Sequence, residues 1–203
     1  MAARFHNIGV HVVPHEIDFA VFRPMPRAEA RAALGLDPQK KYLLFAAKPE
    51  VVVKRFPLAA AAAELLRHRN PEIELLVIYR EPQPRLALYM NACDALVFPS
   101  YQEGSPNVVK QAMACNLPIV ATDVGDIPQI IGTTPHCYIC EPQIPKFADK
   151  LSEILRDRPR TDGRQRVSHL ASPLVALQII SIYKDTLCKC KSRARQAVRV
   201  APQ

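Results

Sequence analysis

Runs of consecutive apolar residues alternate along the chain with segments whose apolar residues recur at helical spacing. The continuous runs include KYLLFAA (41–47), IELLVIY (73–79) and DALVFPS (94–100). Short apolar runs of this kind are typical of strands that are buried on both faces of a sheet. Strands that alternate with helices predict an α/β fold with a mainly parallel sheet and helices on both faces.

The pattern also predicts the positions of the other elements. Helices are expected at 27–34, with Gly35 as the C-cap, at 56–69, 84–92, 106–115 and 144–157, with a short helix before CYIC and a long one at 172–187. Further strands are expected at 9–14, 117–122 and CYIC (137–140). We interpret residues 1–188 as one binding domain and residues 189–203 as a basic, disordered tail.

The charge balance favours anionic partners. The net charge is +8, and much of the excess lies near the end of the chain, at Lys184, Lys189, Lys191, Arg193, Arg195 and Arg199. An anionic membrane surface is one candidate partner, and a solvated tail is the alternative. Nucleic acid is not expected as a partner, because only 6% of the residues are aromatic and none is Trp. The sequence has no secretory signal and no apolar run long enough for a membrane span, which predicts a cytoplasmic protein, in contact with the inner membrane face at most.

The six cysteines do not predict a metal site. Cys137 and Cys140 are three apart in a predicted strand, where side chains three apart point to opposite faces. Cys93 and Cys115 lie in apolar patterns that are typical of core residues. No metal is therefore expected.

The segment EGSPNVV, after the 94–100 strand, has the features of an anion site. Ser105 is predicted as the N-cap of the next helix and Pro106 as its first residue, which leaves the Asn107 amide available to a ligand. Gly104 allows close approach to the backbone, and Glu103 suits sugar hydroxyls beside a phosphate. The alternative is a well-capped helix with an exposed glutamate.

The loop after the 41–47 strand carries Lys48, Lys54 and Arg55 just before a helix. Cations at the carboxyl end of a buried strand are suited to neutralise a diphosphate. An exposed basic loop without a ligand is the alternative. Two neighbouring loops that both suit a phosphorylated sugar strengthen the binding interpretation.

EGSPNVVKQAMACNLPIVATDVGD (103–126) resembles the donor-binding signature of GT-B glycosyltransferases, in particular glycosyltransferase family 4. VVPHEIDFAVFRP and YMNACDALVFPS are similar to segments of the same family, and Lys48 and Lys54 match its pair of cations six residues apart. The resemblance covers residues 8 to 188.

The resemblance implies a nucleotide-sugar-binding, Rossmann-like domain that forms the C-terminal half of a GT-B fold. It also implies a retaining transfer of a sugar from a nucleotide diphosphate sugar to an acceptor, of the hexosyltransferase type. No metal and no other cofactor would be needed. Lys48 and Lys54 would hold the diphosphate, Glu103 would contact the donor sugar, and Gln111 would lie beside the ribose. The resemblance places six further residues around the donor: Tyr79, Arg80, Gly104, Ser105, Pro106 and Asn107. Enzymes of cell-surface polysaccharide or glycolipid synthesis are the expected class.

The chain departs from the family pattern at two places. Gln111 stands where the family has a second Glu, so we expect ribose binding weaker by about 1–2 kcal/mol, with a tolerated replacement as the alternative. His15 and Glu16 replace an Asn-Gly pair in the entry segment, and His15 is interpreted as a surface residue rather than a base.

The chain begins where the resemblance places the second half of a GT-B enzyme, so an N-terminal acceptor domain is expected to be absent. We therefore expect nucleotide-sugar binding with little or no transfer, unless a separate polypeptide supplies the acceptor half. A non-catalytic binding or partner module is the first alternative. A dehydrogenase is a weaker one, because no G-x-G-x-x-G motif follows any predicted strand.

Overall fold

The computed structural model describes the backbone of residues 10–199 and the side chains of residues 10–187. It divides into two compact units, residues 17–168 and the two chain ends that precede and follow them. The larger unit holds the whole sheet. The smaller unit contains the long C-terminal helix.

Five parallel strands form one sheet in the larger unit, in the order β2-β1-β3-β4-β5. The strands are β1 (Lys41–Phe45), β2 (Ile73–Val77), β3 (Ala95–Phe98), β4 (Ile119–Ala121) and β5 (Cys137–Ile139). The strand order reverses beside β1, where the chain crosses from β2 to β3 on the opposite side. Ligands of open parallel sheets bind at such a switch point, beyond the carboxyl ends of the strands.

Eight α-helices are described: α1 (Arg27–Leu34), α2 (Phe56–Arg69), α3 (Gln83–Ala92), α4 (Asn107–Ala114), α5 (Ile127–Ile131), α6 (Ile144–Asp157), α7 (Gly163–Arg166) and α8 (Ser172–Arg199). Two short 3-10 helices, Val52–Lys54 and Ser168–Leu170, accompany them. The expected fold class, a mainly parallel sheet between helices, is confirmed.

The helices cover both faces of the sheet. On one face α2 and α6 pack together over alternate strand residues, which include Leu43, Val97 and Val120. The intervening strand residues, such as Leu44, Leu96 and Ile119, are also buried, and α3 and α4 pack against β1 and β3. This two-sided burial explains why the strands read as continuous apolar runs.

The predicted element bounds hold best where local signals are strong. Helices α2 and α6 have the predicted bounds, and Gly35 ends α1 in the left-handed conformation at φ +66°. The strand expected at 9–14 is wrong for the described part: residues 10–14 form no strand, and Gly9 lies outside the described residues. Val10 and Val12 are exposed, and no strand of the described residues pairs with this segment.

The C-terminal boundary also differs from the expectation. Helix α8 continues through residues 189–199, so this part of the predicted tail is helical, while residues 200–203 lie outside the described residues. Within the described part of the chain, we find no helix that is long and apolar enough to cross a membrane.

A buried carboxylate secures the amino end of β3, at the edge of the sheet opposite to the loops discussed below. Asp94 is fully buried and forms ion pairs at 3.1–3.2 Å with the guanidinium groups of Arg27, Arg31 and Arg158. Of these three, Arg31 and Arg158 also donate hydrogen bonds to it. It also accepts from the backbone N–H of Tyr42 in β1 at 2.8 Å. Asp94 lies in YMNACDALVFPS, one of the segments that carry the family resemblance. In the structure, its ion pairs hold helices α1 and α6 on the sheet.

Candidate functional site

The loops that follow β1 and β3 meet at the carboxyl end of the sheet. The backbone N–H of Tyr101, after β3, donates to the carbonyl of Val53, after β1, at 3.0 Å. Arg55 allows the chain to turn from the 3-10 helix into α2, because it adopts the left-handed conformation at φ +49°. Its guanidinium lies 5.0 Å from the centre of the Tyr101 ring. These contacts fix the two loops side by side.

A pocket of about 450 Å³ opens between these loops and the N-terminus of α4. Its walls come from the ends of β1 and β2 and from the segment before α4, and they consist of Ala46, Ala47, Lys48, Val51, Lys54, Tyr79, Glu103, Ser105, Pro106, Asn107 and Val108. Seven of the ten residues that the sequence predicted for a donor site therefore line one pocket.

Lys54 and Glu103, which both line the pocket, form an ion pair. Their Nζ and Oε1 atoms are 2.6 Å apart, and their side chains are 26% and 13% exposed. The Lys54 ammonium also lies 5.7 Å from the centre of the Phe98 ring. The pair therefore joins Lys54, which is expected to bind the diphosphate, to Glu103, which is expected to contact the sugar.

Lys48 contributes a second positive charge with more freedom to move. Its side chain is 47% exposed, and its ammonium is 4.0 Å from the Glu50 carboxylate. An exposed pair at this distance contributes little to stability. Lys48 can therefore reorient toward an anion in the pocket at small cost.

Helix α4 begins one residue later than predicted. Pro106, rather than Ser105, is the N-cap, and no side chain caps the helix. The first N–H groups of a helix have no intrahelical acceptor, so those of Asn107 and Val108 lie at the pocket with the positive end of the helix dipole. The Ser105 hydroxyl instead donates to the Asp126 carboxylate.

Tyr79 forms the side of the pocket nearest β2, and Arg80 lies against its ring. Tyr79 lines the pocket and is 44% exposed. Arg80 adopts the left-handed conformation at φ +57° and places its guanidinium 5.1 Å from the centre of the Tyr79 ring. Arg80 is not part of the pocket lining, and its observed contact with the lining is the Tyr79 ring.

Gly104 and Gln111 also lie outside the pocket lining. The Gly104 carbonyl accepts from the backbone N–H of Asp126 at 3.1 Å, so this residue contributes to the loop structure. Gln111 lies one turn beyond Asn107 in α4 and is half-buried. His15, in the smaller unit, is exposed, and its Nδ1 lies 3.1 Å from the carbonyl oxygen of Glu16.

Sequence reasoning missed the residues that support the segment before α4. Gly125 has φ +58°, and a Cβ there would lie 2.3 Å from the Gly104 carbonyl oxygen. Asp126 follows it and holds both Ser105 and Gly104. The only signal was the Gly-Asp pair in TDVGD, which the prediction used for the resemblance but not for the site.

None of the cysteines that the structure describes lines this pocket. Burial raises the pKa of both Cys115 and Cys137 to about 12. In the part of the chain that the structure describes, no group of three or more His, Cys, Asp or Glu side chains is placed to hold a metal ion. The side chains of Cys188 and Cys190 lie outside the described residues.

Comparison with protein families gives a match over residues 39–157 to the family described as "Glycosyl transferases group 1". A D-inositol 3-phosphate glycosyltransferase from Arthrobacter sp. (strain FB24) is 32% identical over 191 residues, which are 76% of this chain and 43% of the relative. One from Segniliparus rotundus is 28% identical over 192 residues, or 79% of this chain and 42% of the relative. The chain spans about half the length of the curated relatives it matches.

Solved structures show the same fold. Sucrose-phosphate synthase from Thermosynechococcus elongatus matches with a TM-score of 0.74 and 24% identity, over 88% of this chain and 53% of that one. HepE from Anabaena, in complex with UDP and glucose, matches with a TM-score of 0.69 and 14% identity, over 86% and 56%. The C-terminal domain of a group 1 glycosyl transferase (LpcC) from Francisella tularensis matches with a TM-score of 0.61 and 19% identity, over 80% of this chain and 98% of that domain.

Proposed function

Because the chain belongs to the group 1 glycosyltransferases, we propose that it is the donor-binding half of such an enzyme and binds a nucleotide diphosphate sugar. The expected fold, that of a GT-B glycosyltransferase half, is confirmed by the structural similarities. One observation carries the proposal: Lys54, Glu103 and the N-terminus of α4 share one pocket. Assignment to family 4 is part of the proposal.

The proposed donor contacts follow from the chemistry of the lining. A lysine ammonium has three N–H donors, so Lys54 keeps two for phosphate oxygens while it donates to Glu103. The second carboxylate oxygen of Glu103 can accept from sugar hydroxyls. The first N–H groups of α4 and the Lys48 ammonium offer further donors to the diphosphate.

The proposed contribution to the reaction is stabilisation of the leaving group. When the bond from the sugar to the diphosphate breaks, negative charge grows on the diphosphate. Lys54 and the helix N-terminus are positive groups held in place, and Lys48 is a positive group that can reorient toward the diphosphate. Together they stabilise this charge, and such electrostatic stabilisation makes a large contribution to enzymatic rate acceleration. We propose that the donor half needs no metal ion and no other cofactor for this role, and that the transfer retains the anomeric configuration.

Transfer itself is proposed only together with an acceptor half, on the same polypeptide or on a separate one. The chain corresponds to less than half the length of the curated relatives, so their acceptors are not carried over. We propose a role in cell-surface polysaccharide or glycolipid synthesis as the broader context. The alternative is a module that binds nucleotide sugars without any transfer.

The first experiment is calorimetric titration of the purified chain with UDP, GDP and ADP, and uridine nucleotides are the first choice because HepE was solved with UDP. We expect one nucleotide to bind and Lys54→Ala to weaken it about tenfold or more, because a charged hydrogen bond to phosphate is lost. Lys150→Ala is the matched control: Lys150 also pairs with a glutamate, at 2.7 Å, but on α6 and outside the pocket. A folded chain that binds none of the three nucleotides would refute the proposal.

A peripheral contact with the membrane is also proposed. Helix α8 exposes apolar side chains at three- and four-residue spacing: Leu174, Leu177, Ile180, Tyr183 and Leu187. Its sequence ends in a basic segment. A helix with exposed apolar residues and a basic end is suited to lie on an anionic lipid surface.

A further inference from the structure

Helix α4 contains a lysine whose charge is hidden from solvent. Lys110 is 0% exposed, and its Nζ has no hydrogen-bond partner among the described residues. Lysine is almost never fully buried without a partner, because desolvation of an ammonium is costly. Burial lowers the pKa of Lys110, and the nearby Asp126 carboxylate acts in the opposite direction.

Two buried acceptors without partners accompany this donor. Asn107 Oδ1 and Asp126 Oδ1 are both buried and have no hydrogen-bond partner in the described part of the chain. Asn107 precedes Lys110 by three residues, so the two side chains share one face of α4. The other oxygen of Asp126 accepts from the Ser105 hydroxyl, and its backbone N–H donates to the Gly104 carbonyl. The carboxylate therefore contacts the segment that immediately precedes α4.

This position creates an electrostatic conflict with the proposed ligand. Ser105 and Asn107 line the pocket, and Asp126 contacts Ser105. Asp126 is separated from the pocket only by Ser105, so its carboxylate repels a diphosphate bound there. Because Asp126 Oδ1 is shielded from water, solvent screens this repulsion less. Asp126 is nevertheless the residue that holds the segment 104–105 in place. A buried compensating charge would allow it to do this without loss of anion affinity.

We propose that Lys110 is a positioning residue that neutralises Asp126, so that Asp126 can hold Ser105 at the pocket without repelling the diphosphate. This inference rests on the proposed function. It assigns Lys110 no contact with the ligand, because Lys110 is not part of the pocket lining. The charges of Lys110 and Asp126 sum to zero, and the donors on the pocket side remain Lys48, Lys54 and the N-terminus of α4.

The proposal predicts an ordered series of affinities for inorganic pyrophosphate at neutral pH and low salt. Lys110→Met removes the positive charge at nearly constant size, and we expect pyrophosphate binding to weaken about fivefold. Asp126→Asn keeps an oxygen that can accept from Ser105 but leaves Lys110 uncompensated, and we expect binding to strengthen about threefold. The double variant has the same net charge as the original pair, so its affinity should return to within about twofold of the unmodified chain.

The measurement is calorimetric titration of each full-length variant with pyrophosphate, with the nucleoside diphosphate that binds the unmodified chain, and with the corresponding nucleoside. Nucleoside affinity should stay the same, because the nucleoside carries no charge. The differences among variants in pyrophosphate affinity should shrink at high salt. A merely structural role for Lys110 would instead change nucleoside and diphosphate affinities together.

The series has clear contrary results. Equal pyrophosphate affinity of Lys110→Met and the unmodified chain, or no recovery in the double variant, would overturn the proposal. If Lys110→Met does not fold, Asp126→Asn alone decides: tighter pyrophosphate binding supports the proposal, and unchanged or weaker binding overturns it. A lack of pyrophosphate and nucleotide binding by the unmodified chain would count against the proposed function itself, which distinguishes the two failures.

Discussion

Lys54 and Glu103 are joined by an ion pair of 2.6 Å that connects the loop after β1 to the loop after β3. Both side chains are largely shielded from solvent. The resemblance to glycosyltransferases gives them separate roles, one on the diphosphate and one on the sugar. The observed pair makes these roles dependent on each other, because each residue fixes the position of the other.

This coupling leads to a prediction for Glu103→Gln. The glutamine oxygen can still accept from Lys54, so we expect UDP affinity to stay within about threefold of the unmodified chain. The additional affinity that the sugar gives UDP-glucose over UDP should be lost, because hydrogen bonds to a neutral amide are weaker than those to a carboxylate. Calorimetry with UDP and with UDP-glucose measures both the nucleotide affinity and the contribution of the sugar. If the variant binds UDP and UDP-glucose more weakly by the same factor, Glu103 does not contact the sugar.

Gln111→Glu tests the main departure from the family pattern. A carboxylate at position 111 accepts from two ribose hydroxyls, whereas the glutamine amide offers one acceptor and one donor group. We expect the variant to bind the nucleotide more tightly by about 1–2 kcal/mol, if residue 111 contacts the ribose as the resemblance implies. The gain should be smaller for the 2′-deoxynucleotide. An unchanged affinity would indicate that Gln111, outside the lining of the unliganded pocket, does not contact the ribose.

The fold was predictable because its signals are local. Helix α2 is an alanine- and leucine-rich segment and α6 follows a strict helical period, and both have the predicted bounds. Strands β1 and β3 are buried on both faces and therefore read as apolar runs. The strand predicted at 9–14 failed because an apolar run forms a strand only when a neighbouring strand is available, which the sequence does not specify.

The sequence brought together the residues that line the pocket, but it did not reveal the contacts that support them. Lys48, Lys54 and Glu103 follow predicted strands, and parallel strands bring their carboxyl ends together. The role of Asp126 depends on a contact with Ser105 across 21 residues of sequence, and Ser105 was therefore wrongly predicted as a helix cap. Lys110 lies in a helix whose sequence does not reveal that this position is fully buried.

Gly125→Ala should disrupt the pocket through this support. A Cβ at position 125 would lie 2.3 Å from the Gly104 carbonyl oxygen, and φ is +58°, so the segment 103–105 must move. Gly35→Ala is the matched control, because its φ is +66° but its Cβ would meet nothing within 4 Å. In both variants the left-handed conformation of the alanine should lower the free energy of unfolding by about 1 kcal/mol. Only Gly125→Ala should also bind the nucleotide more weakly. Chemical denaturation and calorimetry separate the two effects, and equal nucleotide affinity in both variants would contradict the support role.

Asp94→Asn should destabilise the larger unit strongly. The substitution leaves Arg31 and its neighbouring guanidinium groups without their buried counter-charge. Loss of one partner of a buried ion pair costs about 3–5 kcal/mol, measurable as a lower midpoint in urea denaturation. Glu74→Gln is the control: its pair with Lys40 is partly exposed and should contribute much less. A loss for Asp94→Asn no larger than that of the control would mean that the arginines find other acceptors.

The proposed membrane contact makes a prediction that does not involve the pocket. Vesicles of phosphatidylglycerol should retain the chain at low salt, and vesicles of phosphatidylcholine should not, because the contact needs anionic lipid as well as apolar residues. Replacement of Lys189, Lys191, Arg193 and Arg195 by glutamine should release the chain by removing the charge attraction. Replacement of Leu177 and Tyr183, which are 62% and 67% exposed, by glutamine should weaken retention without changing the charge. Co-sedimentation at low and high salt measures these differences. If phosphatidylglycerol vesicles do not retain the unmodified chain at low salt, the basic end and exposed residues of α8 serve another contact.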